Sequence, residues 1–442
     1  MKSTVTLVAL LAMAAPAAAD ERMVLTMERA VELAMQQQPA LRRSRASYEA
    51  AQGQVDQAKV ARKPQLSLSA NVNAGSSRSG FCQPVDTDGD GMPDTSPICG
   101  GFFSPIYNTS IGAQATWRLF DFGQTTANIR AAELNARASQ AGIDGDTLDV
   151  RTNVEVAYLE AVARAQLVRV AETTVENEVR HVDQAQKFVA AQAKDPIEVV
   201  QAQARLANAR STLAQSQSSQ AIALANLRAA IGWIDPTRAP NVTDAWPTPP
   251  SNDPEALPAL VETARKHRPD IAALDAQIAA AEASYDAAAA GRRPVLSASA
   301  RTEWAPSSTE WQPDPTWSAG LSLSWPIFDG GRTAAQKRIA RANVTGSQAQ
   351  RDGLLVNLTS ELEAARAQII ANRANVTAST EAVTAARSQL RLAEARYTAG
   401  LGSQIELTDA QTAVTTAEGN LVQAEWQLAD AWARLRRSLG QL

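Results

Sequence analysis

The chain repeats itself. Leu119-Phe120-Asp121-Phe122-Gly123 returns as Ile327-Phe328-Asp329-Gly330-Gly331, and Ile197-Glu198 returns as Ile405-Glu406. Leu213, Leu227 and Ile231 return as Leu421, Leu435 and Leu439, so all these pairs share an offset of 208 (439 against 231). Pro64 and Pro294 correspond at 230 instead, which places 22 extra residues (230 against 208) between Pro64 and Leu119 in the first copy. A tandem duplication constrains the fold strongly. Each copy must adopt the same supersecondary path, and the two must pack as equivalents.

Within each copy the prolines set the boundaries. Residues 122–194 contain none and read as one helix, about 105 Å long at 1.5 Å per residue. The return segment, 196–231, is only about half as long. The Ala- and Gln-rich helix expected over 41–63 makes up the difference if it stacks end to end on the return helix. The second copy has no proline between Pro326 and Leu442 and is broken once, at Tyr397-Thr398-Ala399-Gly400-Leu401-Gly402-Ser403. Before that turn, Leu354, Leu358, Leu362, Ala365 and Ile369 keep a coiled-coil seam spacing; after it, Leu421, Leu428, Trp432, Leu435 and Leu439 do the same.

At Pro64 the period changes from 3.6 to 2. Apolar and polar residues alternate through Gln65–Asn73 and again through Ile111–Trp117. In the second copy Leu296, Ala298 and Ala300 alternate with Ser297, Ser299 and Arg301. Trp317, Ala319, Leu321, Leu323 and Trp325 alternate with Ser318, Gly320, Ser322 and Ser324. These could be half-buried strands of a soluble sheet, but no further layer of apolar sequence is left to cover them. A membrane barrel wants this pattern, apolar to lipid and polar to a wet lumen. Roughly eight strands is the minimum for such a barrel, and open edges are not tolerated in lipid. Four strands must therefore be completed by other subunits. Trp117, Trp317 and Trp325 suit an interfacial belt.

Met1-Lys2, an apolar run to Ala15 and Ala17-Ala18-Ala19 read as a secretory signal over 1–19, with no lipid-accepting cysteine at Asp20. The net charge of −4, without a basic arm, gives no sign of nucleic acid. The two histidines, His181 and His267, stand alone and read as helix-surface residues. In an exported chain the only cysteines, Cys82 and Cys99, read as a disulfide. Residues 235–258, rich in Pro, Thr, Asn and Asp, read as a linker joining a first repeat (20–234) to a second (259–442). The expected β-hairpins cover 64–118, with an extracellular insertion over 80–105, and 294–326; the long helical hairpins cover 122–231 and 331–440.

Three passages together resemble the TolC-type outer-membrane factor family. They are Met27-Glu28-Arg29-Ala30-Val31-Glu32-Leu33-Ala34 with Pro39, the strand entry Arg62-Lys63-Pro64-Gln65-Leu66-Ser67, and the strand exit Trp325-Pro326-Ile327-Phe328-Asp329-Gly330-Gly331. The likeness covers nearly all of the expected mature chain. It implies an α+β membrane protein: a homotrimer whose long coiled-coil helical barrel continues into a transmembrane β-barrel, four strands from each subunit. It implies an exit duct for a tripartite efflux pump or a type I secretion system, working with a periplasmic adaptor and an inner-membrane transporter. Such a passive conduit needs no catalytic residues and no cofactor.

The resemblance also suggests sites. Glu406 and Asp409 share a helix face and match the acidic residues ringing the periplasmic entrance; Glu198 is the first-copy equivalent of Glu406. Ser403 and Glu406 also form a capping box, which alone accounts for Glu406. Gly402 stands where the family often carries a basic latch. Ala399-Gly400-Leu401 resembles the adaptor-docking turn, whereas the first copy has Ala190-Ala191-Gln192-Ala193. In the insertion, Asp86, Asp88, Asp90 and Asp94 with Gly91 follow the start of a calcium loop, but Pro97 replaces the closing Glu. Weak calcium binding is the reading favoured over an acidic solvated loop. Two other classes compete with the duct: a periplasmic adaptor, which would lack lipid-facing strands, and a structural coiled-coil envelope protein, which would not need the duplicated strand junctions.

Overall fold

The computed structural model describes residues 24–76, 105–235, 240–243, 246, 247, 250, 252–305 and 315–441. The expected signal segment, Cys82, Cys99, Asp86, Asp88, Asp90, Asp94 and Trp311 lie outside the described residues. The elements run β1 (Val24–Leu25), α1 (Met27–Gln37), α2 (Pro39–Val60), β2 (Gln65–Ser76), β3 (Pro105–Phe120), α3 (Gln124–Ala190) and α4 (Ile197–Ile231). They continue β4 (Asn241–Val242), α5 (Leu257–His267), α6 (Pro269–Ala289), a 3-10 turn (Ala290–Arg292), β5 (Val295–Trp304), β6 (Thr316–Ser324), α7 (Arg332–Thr398) and α8 (Gln404–Leu439). The chain forms two compact units. One comprises Met1–Arg45, Gly142–Ile271 and Leu354–Leu442; the other comprises Ala46–Ala141 and Ala272–Gly353. Among the described residues no helix is long and apolar enough to cross a membrane.

The first unit holds two equivalent cores. In the first copy, Ala30, Ala34, Leu41, Val150, Val154, Ala161, Leu227 and Ile231 are buried together. In the second, Leu260, Ala264, Ile271, Leu358, Leu362, Ile369, Leu435 and Leu439 are. Each second-copy residue is its counterpart shifted by 230 in α5 and α6 or by 208 in α7 and α8. The expected seam is therefore the core: Leu358, Leu362 and Ile369 are at most 1% exposed. At roughly 1.5–3 kcal/mol per fully buried large aliphatic side chain, these seams are the main attraction between helices that are otherwise mostly alanine and polar.

The ends of α4 and α8 abut the junctions between the shorter helices. Gly232 closes α4 with φ +85°, and a Cβ there would lie 3.1 Å from Gln38 Cα. Gln38 Nε2 donates to the Ala230 carbonyl at 2.7 Å. Gly440 closes α8 in the same way against His267 and Arg268. Every described residue with positive φ belongs to such a pair, 208 apart: Phe122 and Gly330, Gly123 and Gly331, Gln192 and Gly400, Gly232 and Gly440.

Sequence reading missed the two short strands. β1 pairs parallel with β4, through Val24 with Asn241 and Leu25 with Val242. The buried Tyr158 hydroxyl donates to the Leu25 carbonyl (3.0 Å) and accepts from Thr243 N (3.3 Å). Further along the linker Arg373 on α7 holds Asp253 (2.5 Å) and the carbonyls of Pro250 and Asn252 (2.9 and 2.6 Å). Trp246 donates to Gln166 at 3.1 Å.

In the second unit, α2 packs on α3 through Ala51, Val55 and Ala136. Ala276, Ala280, Ala283 and Ala287 form the buried stripe of α6. The strands make one antiparallel sheet in the order β2-β3-β5-β6. Trp325 falls just past the end of β6, not within it as its alternation suggested.

Candidate channel wall and gate

The sheet register sorts the side chains into two sets. Along one set, Leu66 faces Ala115, Leu68 faces Ala113 and Ala70 faces Ile111. Ala115 faces Ala300, Trp117 faces Ala298 and Ile111 faces Trp304; Leu296 faces Leu323 and Ala298 faces Leu321. Apart from Thr109 and Thr302 this face is apolar across all four strands, yet Leu66, Leu68, Val72, Trp317, Leu321 and Leu323 are 67–81% exposed. On the other face Gln65 meets Thr116, Ser67 meets Gln114, Ser299 meets Gly320 and Arg301 meets Ser318. An apolar face of this size left uncovered needs lipid or protein against it. β2 and β6 are edge strands with unpaired backbone groups on their outer sides.

The strand-to-helix junctions are built twice. Asp329 accepts from Gly331 N (3.0 Å) and Thr333 N (2.9 Å), starting α7. The hydrogen bonds from the Thr333 side chain and backbone pull its pKa down to about 2. Asp121 does the same for α3 through Gly123 N and Thr125 N. The Trp117 indole donates to the Arg62 carbonyl (2.9 Å) and Trp325 donates to the Arg292 carbonyl (3.2 Å), tying strand end to helix end in both copies.

At the opposite ends of the long helices the two turns share one backbone pattern. Ala191, Gln192 and Ala193 donate to Lys187, Val189 and Phe188; Ala399, Gly400 and Leu401 donate to Ala395, Tyr397 and Arg396. Gln192 thus takes positive φ (58°) where the second copy uses Gly400 (75°). Around the turns Leu401, Ile405, Ile197 and Val200 are 57–77% exposed, an apolar surface on both copies.

A polar network joins the turns. The Tyr397 hydroxyl donates to Glu198 Oε2 at 3.3 Å. Burial and then the Glu198 carboxylate push the Tyr397 pKa to about 12, so the phenol keeps its proton. Lys194 sits 3.4 Å from Glu198 Oε1 and 5.2 Å over the Tyr397 ring, whose edge meets Phe188. The Gln404 amide presents its nitrogen to Glu198 (2.9 Å) and its oxygen to Arg205. Arg205 approaches Glu178 to 3.6 Å. Further along α8, His181 of α3 bonds Gln411; burial, then Arg205 and Arg180, hold its pKa down.

The three acidic candidates therefore differ. Glu198 is enclosed in the network. Glu406 donates its backbone N–H to Ser403 Oγ (3.2 Å), the expected cap, and pairs with Arg396 at 3.2 Å. Asp409 is exposed, with no bonded partner among the described residues. Sequence reading missed Tyr397, Lys194, Gln404 and Arg205. The signal for Lys194 was its spacing of four from Glu198; that for the others was tertiary proximity, which no local spacing reports.

Comparison with known proteins agrees with this geometry. The family model described as outer membrane efflux protein matches residues 30–233 and 260–441. Protein CyaE of Bordetella pertussis is 29% identical over 431 residues, covering 97% of this chain and 86% of its own. Outer membrane protein OprJ of Pseudomonas aeruginosa is 26% identical over 427 residues, 94% and 84% of the two chains. The structure of the Campylobacter jejuni CmeC outer membrane channel superposes with a TM-score of 0.78 at 16% identity, covering 94% of this chain and 85% of that one. The structure of CusC does so at 0.77 and 20%, covering 94% and 92%. With both of its repeats matched by the family model, this chain belongs to the outer membrane efflux protein family.

Proposed function

We propose that three copies of the chain close one barrel in the outer membrane. Together they form the passive exit duct of a tripartite efflux pump or type I secretion system, with an adaptor and an inner-membrane transporter on its periplasmic side. The observation that carries this is the four-stranded sheet with a predominantly apolar exposed face, a polar opposite face and two open edges. Lipid satisfies the apolar face, and pairing between copies satisfies the edges.

The periplasmic entrance lies at the helical turns. Tyr397 and Glu198 clamp the second hairpin to the first, and Glu406 and Asp409 supply the carboxylates that select cations. The exposed Ala399-Gly400-Leu401 turn receives the adaptor. In the extracellular insertion, Cys82 and Cys99 form a disulfide, and Asp86, Asp88, Asp90 and Asp94 bind calcium weakly.

The test is mass in detergent together with single-channel conductance. A trimer of low, cation-selective conductance is expected. Conductance should rise in Tyr397→Phe, which keeps the ring but loses the bond to Glu198, and cation selectivity should fall in Asp409→Ala. A monomer that needs no detergent defeats the duct. A trimer whose conductance ignores Tyr397→Phe moves the clamp elsewhere.

A further inference from the structure

A cavity of 460 Å³ opens between α6 and α7 in the second unit. Arg292, Lys337, Arg338 and Arg341 line it with Tyr285 and Thr333, and no carboxylate does. Lys337 Nζ stands 5.7 Å from the centre of the Tyr285 ring. Among the described residues no ion pair joins Lys337, Arg338 or Arg341 to an acid. Arg292 reaches the Ile327 carbonyl at 3.3 Å. The nearby Asp329 is engaged by Gly331 and Thr333. Glu282 and Asp286 flank Tyr285 in sequence but do not line the cavity. The charge of Asp329 offsets Arg292, but Lys337, Arg338 and Arg341 repel one another, and a groove that gathers three such cations without a paired acid is built for an anion.

The first copy provides an internal control. At the equivalent positions it has Arg62 for Arg292, Val55 for Tyr285, Ile129 for Lys337, Arg130 for Arg338 and Glu133 for Arg341. Ile129 is buried, Glu133 pairs with Lys59 at 3.4 Å and Arg62 donates to Thr126 at 2.9 Å. The helix pair therefore folds without the cation cluster. The cluster is a property of the second copy, not of the scaffold.

Its position identifies the anion. Arg292 gives its carbonyl to the indole of Trp325, one residue past the end of β6, whose Trp317, Ala319, Leu321 and Leu323 lie on the apolar face. Ile327 and Phe328 beside it are 75% and 89% exposed. With that face in acyl chains, the cavity lies at headgroup level, where basic side chains meet lipid phosphates. We propose that it binds the phosphate of an anionic phospholipid. Arg338 and Arg341 offer paired guanidinium donors, and Lys337 a point charge over the Tyr285 ring. The proposal rests on the outer-membrane reading above.

The test is native mass spectrometry of the detergent-solubilised full chain with phosphatidylglycerol, phosphatidylcholine or inorganic phosphate. The wild-type protein should hold phosphatidylglycerol at least about tenfold more tightly than phosphatidylcholine, and less tightly as salt rises. The variant K337Q/R338Q/R341Q should lose that preference, while Arg130→Gln in the first copy keeps it. Should the triple variant fail to assemble, Arg338→Gln alone must weaken the preference. Competition by phosphatidylglycerol but not by millimolar inorganic phosphate identifies a lipid headgroup. Competition by inorganic phosphate alone supports the same chemistry with a free anion as ligand. Equal retention of both lipids by the wild type, or an unchanged preference in the variants, overturns the site. The two readings fail separately. A protein that stays soluble without detergent refutes the membrane reading, whereas a detergent-requiring protein without lipid preference refutes only the phosphate site.

Discussion

Replacing Gly440 by Ala tests how the second copy is closed. Gly440 sits at φ +71°, and its N–H reaches the Arg437 carbonyl at 3.0 Å. An added Cβ would lie 2.7 Å from both the carbonyl carbon and oxygen of His267 and 2.9 Å from Arg268 Cα. Unbonded carbons rest about 3.5–4.0 Å apart, and these neighbours are backbone, so they cannot rotate away. The left-handed backbone alone costs an alanine about 1–2 kcal/mol. Relieving the overlap means lifting the last turn of α8 from α5, which partly uncovers Leu435 and Leu439, each fully buried at roughly 1.5–3 kcal/mol. The sum is about 3–5 kcal/mol. Gly400→Ala carries the same backbone cost at φ +75° but meets open space, so it should lose only about 1–2 kcal/mol. Gly232→Ala, with its nearest contact at 3.1 Å, should fall between them. The assay is the thermal midpoint of each detergent-solubilised variant. Midpoints are compared directly because a large membrane assembly does not unfold in two states. A midpoint for Gly440→Ala no lower than that for Gly400→Ala refutes the reasoning.

Three further outcomes are expected. Leu68→Arg, on the apolar face, should abolish outer-membrane assembly at about 2–4 kcal/mol, whereas the adjacent Ser69→Arg should assemble normally; equal yields in the membrane fraction would reverse the assignment of faces. Asp329→Asn should destabilise the protein at neutral pH. Because the folded pKa is about 2, below the unfolded value of roughly 4, the difference from wild type should persist down to about pH 4 and vanish as pH falls through 2, measured by melting across that range. Arg373→Gln removes the fork holding Asp253, Pro250 and Asn252. It should raise protease cleavage within 240–256 several-fold while leaving the secondary-structure signal intact.

Much of the architecture was legible because it is periodic and because it is written twice. The seam from Leu354 to Ile369 needed only its spacing, and the strands only their alternation. The offsets of 208 and 230 then aligned elements whose residues differ, such as Ala30 with Leu260. What was missed lacks a period. β1 and β4 are two residues each and exist because Tyr158, on a distant helix, satisfies the Leu25 carbonyl. The linker read as 235–258 contains β4 and runs into α5, which starts at Leu257. The first-copy turn lacks glycine, yet Gln192 adopts positive φ because the hydrogen bonds of the duplicated turn demand it. Around the gate, Glu198 was visible as the partner of Glu406 in sequence. In the structure its neighbours are instead Lys194, four residues before it, and Tyr397 and Gln404, which only tertiary packing brings close.

The pairing of β3 with β5 also dictates an order of events. It joins Ile111 to Trp304, whereas β2 with β3 and β5 with β6 are hairpins local to each copy. Closing so long a loop is slow, and it is rewarded only once both copies are in place. The two helical cores of the first unit consist of aliphatic seams that can consolidate in water while the sheet cannot, since its apolar face would stand bare. A newly exported chain should therefore become a helical body first, with its strands kept apart. The sheet should zip last, at the bilayer, where lipid covers the face and neighbouring copies take the edges. Chains held short of that step would present β3 and β5 unpaired as well as β2 and β6, so all four strands must be shielded until the sheet closes.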